Sequence, residues 1–260
     1  MALYAAYSQE SFVKACIETV KRNADLGFRP VYKAEWEKDS FASADAVYIR
    51  PFTLAEGGIG VNTSREPWVI VVNTPVSSYF SAPNNDALVT HRTRAVPGGT
   101  GWIKAAANYT MAALAKYEAM EAGFMESVFL DGVEHKYVEE GSSCNIFFLL
   151  KSGKLVTPEL GDTILPGITR ASVIELARDM GLTVEERKIS IDEALEETVE
   201  CFVSGTAVGA TSITSLTHKE KKVVFNNGKT GKFTLDMKNT LKGLQYGAIP
   251  DNKGWLVRVE

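Results

Sequence analysis

Lys104 stands between a glycine-rich run, Pro97-Gly98-Gly99-Thr100-Gly101-Trp102-Ile103, and a run of small residues, Ala105-Ala106-Ala107-Asn108-Tyr109. A lysine used as a Schiff-base nucleophile must lose its proton near neutrality, and desolvation beside small apolar neighbours favours that loss. A second segment, Tyr137-Val138-Glu139-Glu140-Gly141-Ser142-Ser143-Cys144-Asn145, places adjacent carboxylates before small polar residues and an apolar run. A carboxylate aimed at a pyridinium nitrogen keeps that nitrogen protonated, so that the ring can act as an electron sink. A third, Thr163-Ile164-Leu165-Pro166-Gly167-Ile168-Thr169-Arg170, runs from a strand end through Pro-Gly into a helical pattern. Free backbone N–H groups and the positive end of the helix dipole converge there, which suits a phosphate ester. In the fourth, Val203-Ser204-Gly205-Thr206-Ala207, glycine permits a tight turn whose successive amides could cradle phosphate or carboxylate oxygens. Taken singly, each segment also has an ordinary structural reading: a solvated lysine, an acidic strand end, a helix cap and a turn.

The elements that must carry these segments can be read from periodicity. Ser8 can cap a helix over about 9–23, with Phe12, Val13, Cys16, Ile17 and Val20 on one face. Strand-like runs follow at 46–53 and 68–74, with Gly57-Gly58 as turn material between them. From Ser81 to Thr100 the composition shifts to Pro, Asn, Gly and Thr, and a domain linker is placed there, over 83–97. The expected division is 1–82, then the linker, then 98–260. Residues 105–122 are rich in Ala, Met and Leu and end at Gly123, so Lys104 stands at the mouth of a helix. Strands at 127–130 and 136–139, a hairpin of 146–150 with 154–157, a helix over 169–180 ended by Gly181, and a last helix near 235–246 complete an α+β reading.

Composition excludes several classes. The chain of 260 residues has a net charge of -4 and no cluster of basic residues, which argues against a nucleic-acid partner. Its longest apolar runs are strand-length, far short of the roughly 20 residues a membrane helix needs, and Met1-Ala2-Leu3-Tyr4 lacks the pattern of a secretion signal. A cytoplasmic location is expected. Three cysteines without CxxC spacing suggest neither a disulfide framework nor a metal site; Cys144 and Cys201 read as buried strand residues. His91, His135 and His218 occupy unrelated contexts and are given surface roles.

Taken together and in this order, the four segments resemble the branched-chain amino-acid aminotransferases of the fold-type IV pyridoxal phosphate class. The likeness extends to Tyr48-Ile49-Arg50-Pro51-Phe52, to 73–81, to Val184-Glu185-Glu186-Arg187 and to the ending at 244–255, which covers nearly the whole chain. The resemblance implies a two-domain fold, in which an incomplete small α/β domain precedes a larger mixed-sheet pseudo-barrel domain that binds pyridoxal 5'-phosphate. It makes Lys104 the Schiff-base lysine and the general base. Tyr109 would meet the cofactor's phenolic oxygen and Glu140 its ring nitrogen, with Glu139 facing elsewhere. Ile168 and Thr169 would give amides to the phosphate, helped by the Thr206 hydroxyl, and the Thr206 and Ala207 amides would hold the substrate carboxylate. Tyr48 and Arg50 match residues lining the substrate pocket, Arg50 as a candidate for the second carboxylate of glutamate.

The implied reaction exchanges the amino group of leucine, isoleucine or valine with 2-oxoglutarate, with small amino and oxo acids as partners and a homodimer as the assembly. Two alternatives stay open: another fold-type IV activity, such as D-amino-acid transamination or aminodeoxychorismate lysis, and a non-catalytic paralogue. The sequence also departs from the family pattern. Ala105, Ala106 and Ala107 replace the usual glycines after the lysine, and Val208 to Ser212 lack the CxxC pair of mammalian members. The family's small domain begins before the point that Met1 matches, and it contributes an arginine to the cofactor phosphate. Losing one charge-assisted hydrogen bond of that kind is expected to weaken cofactor binding by roughly 10- to 150-fold.

Overall fold

The computed structural model describes residues 7–29, 32–55, 59–60, 64, 66–76 and 84–259. The turn expected at Gly57-Gly58 and the stretch 77–81 lie outside the described residues. The chain divides into two units, Met1–Tyr79 with Gly243–Glu260, and Phe80–Lys242. Among the described residues no helix is long and apolar enough to cross a membrane.

In the first unit, Ser8 caps α1 (Gln9–Asp25) by accepting from the Ser11 N–H, the role its position predicts. Strands β1 (Ala46–Leu54) and β2 (Trp68–Val76) pair antiparallel over nine residues, from Ala46 opposite Val76 to Leu54 opposite Trp68. A short 3-10 turn, Ala34–Asp39, arises in the polar stretch where no element was expected. Its Trp36 is buried with Phe41 and Ala44, and the Phe41 ring stacks on Tyr246 at 5.4 Å. That aromatic contact ties the C-terminal segment to this unit.

The second unit contains β3 (Asp86–Val89), α2 (Tyr109–Glu121), β4 (Glu126–Leu130), β5 (Val138–Gly141), β6 (Asn145–Leu150), β7 (Leu155–Thr157), α3 (Ile168–Asp179), β8 (Val184–Glu186) and α4 (Ile191–Glu197). It continues through β9 (Thr198–Gly205), β10 (Gly209–Ile213), β11 (Ser215–His218), β12 (Lys221–Val224) and α5 (Lys232–Gln245), whose last residues, from Gly243, are counted with the first unit. One five-stranded sheet runs β10-β9-β6-β7-β8 and the other β12-β11-β3-β4-β5, each mixing parallel and antiparallel pairs. Their inner faces share one core, with Val128, Ile146, Phe148, Cys201, Val203, Ile213 and Leu216 among its members. β6, and β9 from Cys201 to Ser204, are buried on both faces, which explains why Ile146 to Leu150 is a continuous apolar run rather than an alternating one. Across that pair the rings of Phe147 and Phe202 stack at 4.9 Å.

Two elements depart from the sequence reading. Asp86–Val89, within the stretch expected as linker, forms β3, a central strand paired with β4 and β11. Four residues are too few to show periodicity beside the Pro83-Asn84-Asn85 turn chemistry. The helix expected from residue 105 starts as a 3-10 turn, Ala106–Asn108, and becomes α-helical only at Tyr109. Asn108 is the reason: its side-chain amide donates to the carbonyls of Thr100 and Ile103, at 2.6 and 2.8 Å, and bends the chain back on the glycine loop. Beyond it, Ala112, Ala115 and Ala119 form the buried face of α2, small enough to seat the helix closely on Phe129 of β4. Gly123 and Gly181 follow α2 and α3 at φ +85°, the left-handed conformation expected of a helix stop.

The turn from β4 to β5, which aims the paired carboxylates, is organised by Asp131. Its carboxylate accepts from the N–H groups of Val133, Glu134, Lys136 and Tyr137, at 2.6–3.2 Å. Burial works against ionisation, but these four donors outweigh it and bring the carboxyl down to about 2. A lowered folded value contributes stability that is present above the unfolded value, about 3.9, and lost as pH falls toward 2. Asp131→Ala, which removes the acceptors, is expected to cost about 1–3 kcal/mol at pH 7 and to flatten that acid limb. Urea melts between pH 2 and 7 check it; an unchanged midpoint would remove Asp131 from this role.

Candidate active site

One cavity of about 280 Å³ in the second unit collects residues from all four segments, near the lower end of ligand pockets at roughly 300–1,000 Å³. From the glycine loop come Trp102, Ile103, Lys104 and Tyr109. The end of β5 and the turn after it supply Glu140 and 142–145, the start of α3 supplies 165–169, and the end of β9 supplies Ser204, Gly205 and Thr206. Residues far apart in sequence thus meet because β5 and β9 end, and β6 begins, on the same side of the core.

Lys104 Nζ lies 2.9 Å from Tyr109 Oη and 5.4 Å from the centre of that ring. The lysine itself is exposed, as are Ala106 and Ala107, so the desolvation expected from its small neighbours is not supplied. The physical reason is the 3-10 turn, which carries the alanines along the surface rather than under the cavity. Close packing instead occurs at Gly101, where an added Cβ would come within 2.8 Å of Thr163 backbone atoms. Glycine there lets the lysine loop lie against the segment leading to α3.

Glu140 is 4% exposed. A carboxyl so buried requires a partner, and Arg94, equally buried, supplies it: Arg94 Nε lies 2.6 Å from Glu140 Oε1. The Leu165 N–H donates to the other oxygen at 3.2 Å. Burial pushes the Glu140 carboxyl up to about 8 against the pull of Arg94, so a proton is readily held between this group and a base facing it. Arg94 is itself held by the carbonyls of Gly101 and Thr163. Glu139 does not line the cavity; it accepts from Thr163 Oγ1 at 2.5 Å, and burial raises its carboxyl also.

At the start of α3 the N-cap is Gly167, with no side chain accepting from the first turn. The opening N–H groups of a helix have no intrahelical acceptor, and Ile168 and Thr169 bring them to the cavity wall. Asn145 braces this corner by donating to the Leu165 carbonyl at 2.9 Å, and its side chain fills the space a Cβ on Gly167 would need. Thr206 also lines the cavity and Ala207 follows it in the turn. Beside them the Ser204 hydroxyl is fully buried without a hydrogen-bond partner among the described residues. Tyr48 and Arg50 are placed on β1 in the first unit, with the Arg50 guanidinium 5.0 Å from the centre of the Tyr48 ring.

Arg94 and Asn145 carry roles that no motif assigned. Burial of Glu140 was the one available signal, since a buried carboxylate demands a cation, but only the fold says which. Cys144 and Cys201 are both buried, and burial raises both thiols, but only Cys201 is a strand residue as expected; Cys144 lies in the bend between β5 and β6. His91 and His135 are exposed, whereas His218 is partly buried in β11.

The family model for class IV amino-transferases matches residues 5–216. A probable branched-chain-amino-acid aminotransferase of Staphylococcus aureus (strain MRSA252) is 39% identical over 253 residues, which is 94% of this chain and 68% of that one. The branched-chain-amino-acid aminotransferase of Mycobacterium tuberculosis (strain H37Rv) is 41% identical over 227 residues, 83% of this chain and 62% of its own. This chain therefore spans about two thirds of the length of these relatives. Among solved structures, the branched-chain amino acid aminotransferase of Escherichia coli superposes with a TM-score of 0.80 at 29% identity, covering 98% of this chain and 77% of that one. The branched-chain amino acid aminotransferase of Thermobaculum terrenum, in its PLP-form, does so at 0.70 and 30%, covering 82% of this chain and 69% of that one.

Proposed function

This chain belongs to the class IV aminotransferase family, and from that premise we propose that it transfers the amino group of leucine, isoleucine or valine to 2-oxoglutarate, using pyridoxal phosphate bound around Lys104. One observation carries the reading: a lysine–tyrosine pair, a buried carboxyl backed by arginine and an uncapped helix start converge on a single cavity. These suit, in turn, the aldehyde, the ring nitrogen and the phosphate of the cofactor. The unpartnered Ser204 hydroxyl in the same wall adds a donor to that set.

When bound, pyridoxal phosphate supplies an aldehyde that takes up the donor's nitrogen and a ring that accepts the electrons of the Cα–H bond. Lys104 anchors it and is assigned to lift the proton from the donor's Cα at Nζ. Tyr109 Oη orients Nζ and is assigned to the phenolic oxygen. Glu140 holds the ring nitrogen's proton while Arg94 keeps the carboxyl in place. The Ile168 and Thr169 amides and the Thr206 hydroxyl bind the phosphate, and the Thr206 and Ala207 amides hold the substrate carboxylate. Tyr48 and Arg50 are assigned to substrate recognition by resemblance alone.

With added pyridoxal phosphate and 2-oxoglutarate, leucine, isoleucine and valine are the expected donors, each releasing its oxo acid. Activity only with D-alanine would overturn the substrate reading, and cofactor uptake with no oxo acid from any amino acid would overturn the transaminase reading. The same proposal includes a homodimer, supported by the exposed apolar side chains of Phe52, Leu54, Trp68 and Val72 on the two-stranded ribbon. Sedimentation as a monomer at micromolar concentration would count against it. A cytoplasmic location completes the proposal; fractionation of the source cells tests it.

A further inference from the structure

Next to the cavity wall, β4 begins with a carboxylate that no solvent reaches: Glu126 is 0% exposed. Such a group is costly unless its oxygens are occupied, and here they are. Oε1 accepts from the Ser127 N–H at 2.8 Å and the Ser142 N–H at 3.2 Å. Oε2 faces Lys116 Nζ at 3.3 Å and the Cys144 thiol at 3.6 Å. Lys116, partly buried, also donates to the Met125 carbonyl.

These partners connect to two separate pieces of the cavity wall, although Lys116 does not itself line it. Ser142 and Cys144 lie in the turn directly after Glu140, at the end assigned to the ring nitrogen. Lys116 lies on α2, seven residues or about 10 Å of helix beyond Tyr109, the residue that meets Lys104. Packing around the turn is tight, since a Cβ on Gly141 would press on Cys144 Sγ and reach within 3.5 Å of Glu126 Cγ. The wall therefore has little freedom to move except through Glu126.

We propose that Glu126, paired with Lys116, is a positioning residue that fixes the separation between the Lys104–Tyr109 end of the cavity and its Glu140 end. The inference rests on the pyridoxal phosphate reading above. A flat ring must meet Tyr109 on one edge and Glu140 on the other at once, so a strut between the two edges sets how well it fits. Glutamine at 126 would turn an amide N–H₂ toward the Lys116 ammonium or toward the Ser142 and Ser127 amides, donor against donor in either orientation.

The test titrates pyridoxal phosphate into the full chain and into Glu126→Gln, Lys116→Met and the double variant, following the visible absorption band, with melting temperatures taken without cofactor. Each single variant is expected to weaken the dissociation constant about tenfold and to shift the band, because Tyr109 and Glu140 govern the ring's ionisation. The double variant is expected to be no weaker than the worse single one, since both singles break the same strut. KM for the amino donor stays within about twofold, because the Gly205–Ala207 turn is not a partner of Glu126. Unchanged affinity and band in Lys116→Met, whatever its melting temperature, would leave the pair a purely structural role and overturn the proposal. Lys116→Met carries the test alone should Glu126→Gln not fold. Failure of the unsubstituted chain to bind pyridoxal phosphate would instead overturn the cofactor reading on which the inference rests.

Discussion

Replacing Lys104 with alanine is expected to abolish the visible band that borohydride fixes to the protein and to lower amino transfer by at least about 10²–10⁴-fold, the contribution of a general base alone. Folding should be untouched, because the Lys104 side chain is exposed and its hydrogen bond among the described residues is to Tyr109. The decisive control is an external amine: a small primary amine in the buffer can replace the lost base and recover part of the rate, whereas it cannot restore a collapsed fold. Retention of a borohydride-stable adduct in the variant would place the attachment on another lysine and sink the assignment.

Glu140→Gln should slow the reaction roughly 10- to 150-fold, the weight of one charge-assisted hydrogen bond, since glutamine cannot hold the ring nitrogen's proton as a carboxylate does. The glutamine carbonyl can still accept from Arg94 or Leu165, so the chain should fold at a cost on the order of 1–3 kcal/mol. Glu139→Gln serves as the comparison, because Glu139 faces Thr163 rather than the cavity. Equal damage from the two changes would mean that the wrong carboxyl has been chosen. A pH signature accompanies the first change. Burial raises the Glu140 carboxyl to about 8, so its contribution to cofactor-free stability is full below the unfolded value near 4.3 and is lost as pH rises through 8. Denaturant melts of the cofactor-free chain should show that decline, and the glutamine variant should show a shallower one.

Much of the fold was legible because its signals are local. Ser8, Gly123 and Gly181 mark helix ends through their own side chains or backbone freedom, and the helix read over 9–23 becomes Gln9–Asp25. The apolar runs around Val71, Phe148 and Val156 fall in strands for the same reason. What the sequence hid depends on distant partners. β3 is a strand because β4 and β11 flank it, not because of its own four residues. At the site, each motif was ambiguous alone and gained meaning from its order along the chain, whereas Arg94 became visible only once Glu140 was seen to be buried beside it. Lys104 shows the opposite error: small neighbours suggested a dry setting, but composition does not say which way a turn will carry them.

The ladder between β6 and β9 has a consequence for how the molecule breathes. Its pairs run from Leu150 opposite Thr198, through the stacked Phe147 and Phe202, to Asn145 opposite Ser204. Amide hydrogens in the middle of such a doubly covered ladder exchange with solvent only when the whole unit opens. Asn145 and Ser204, at its cavity end, are thus fastened to the slowest-opening part of the chain, while the two-stranded ribbon of β1 and β2, with much of its surface wet, has no third strand to protect it among the described residues. Deuterium would enter the ribbon first and the floor of the cavity last, so the cavity floor would outlast partial openings elsewhere and lose its form only with the core itself.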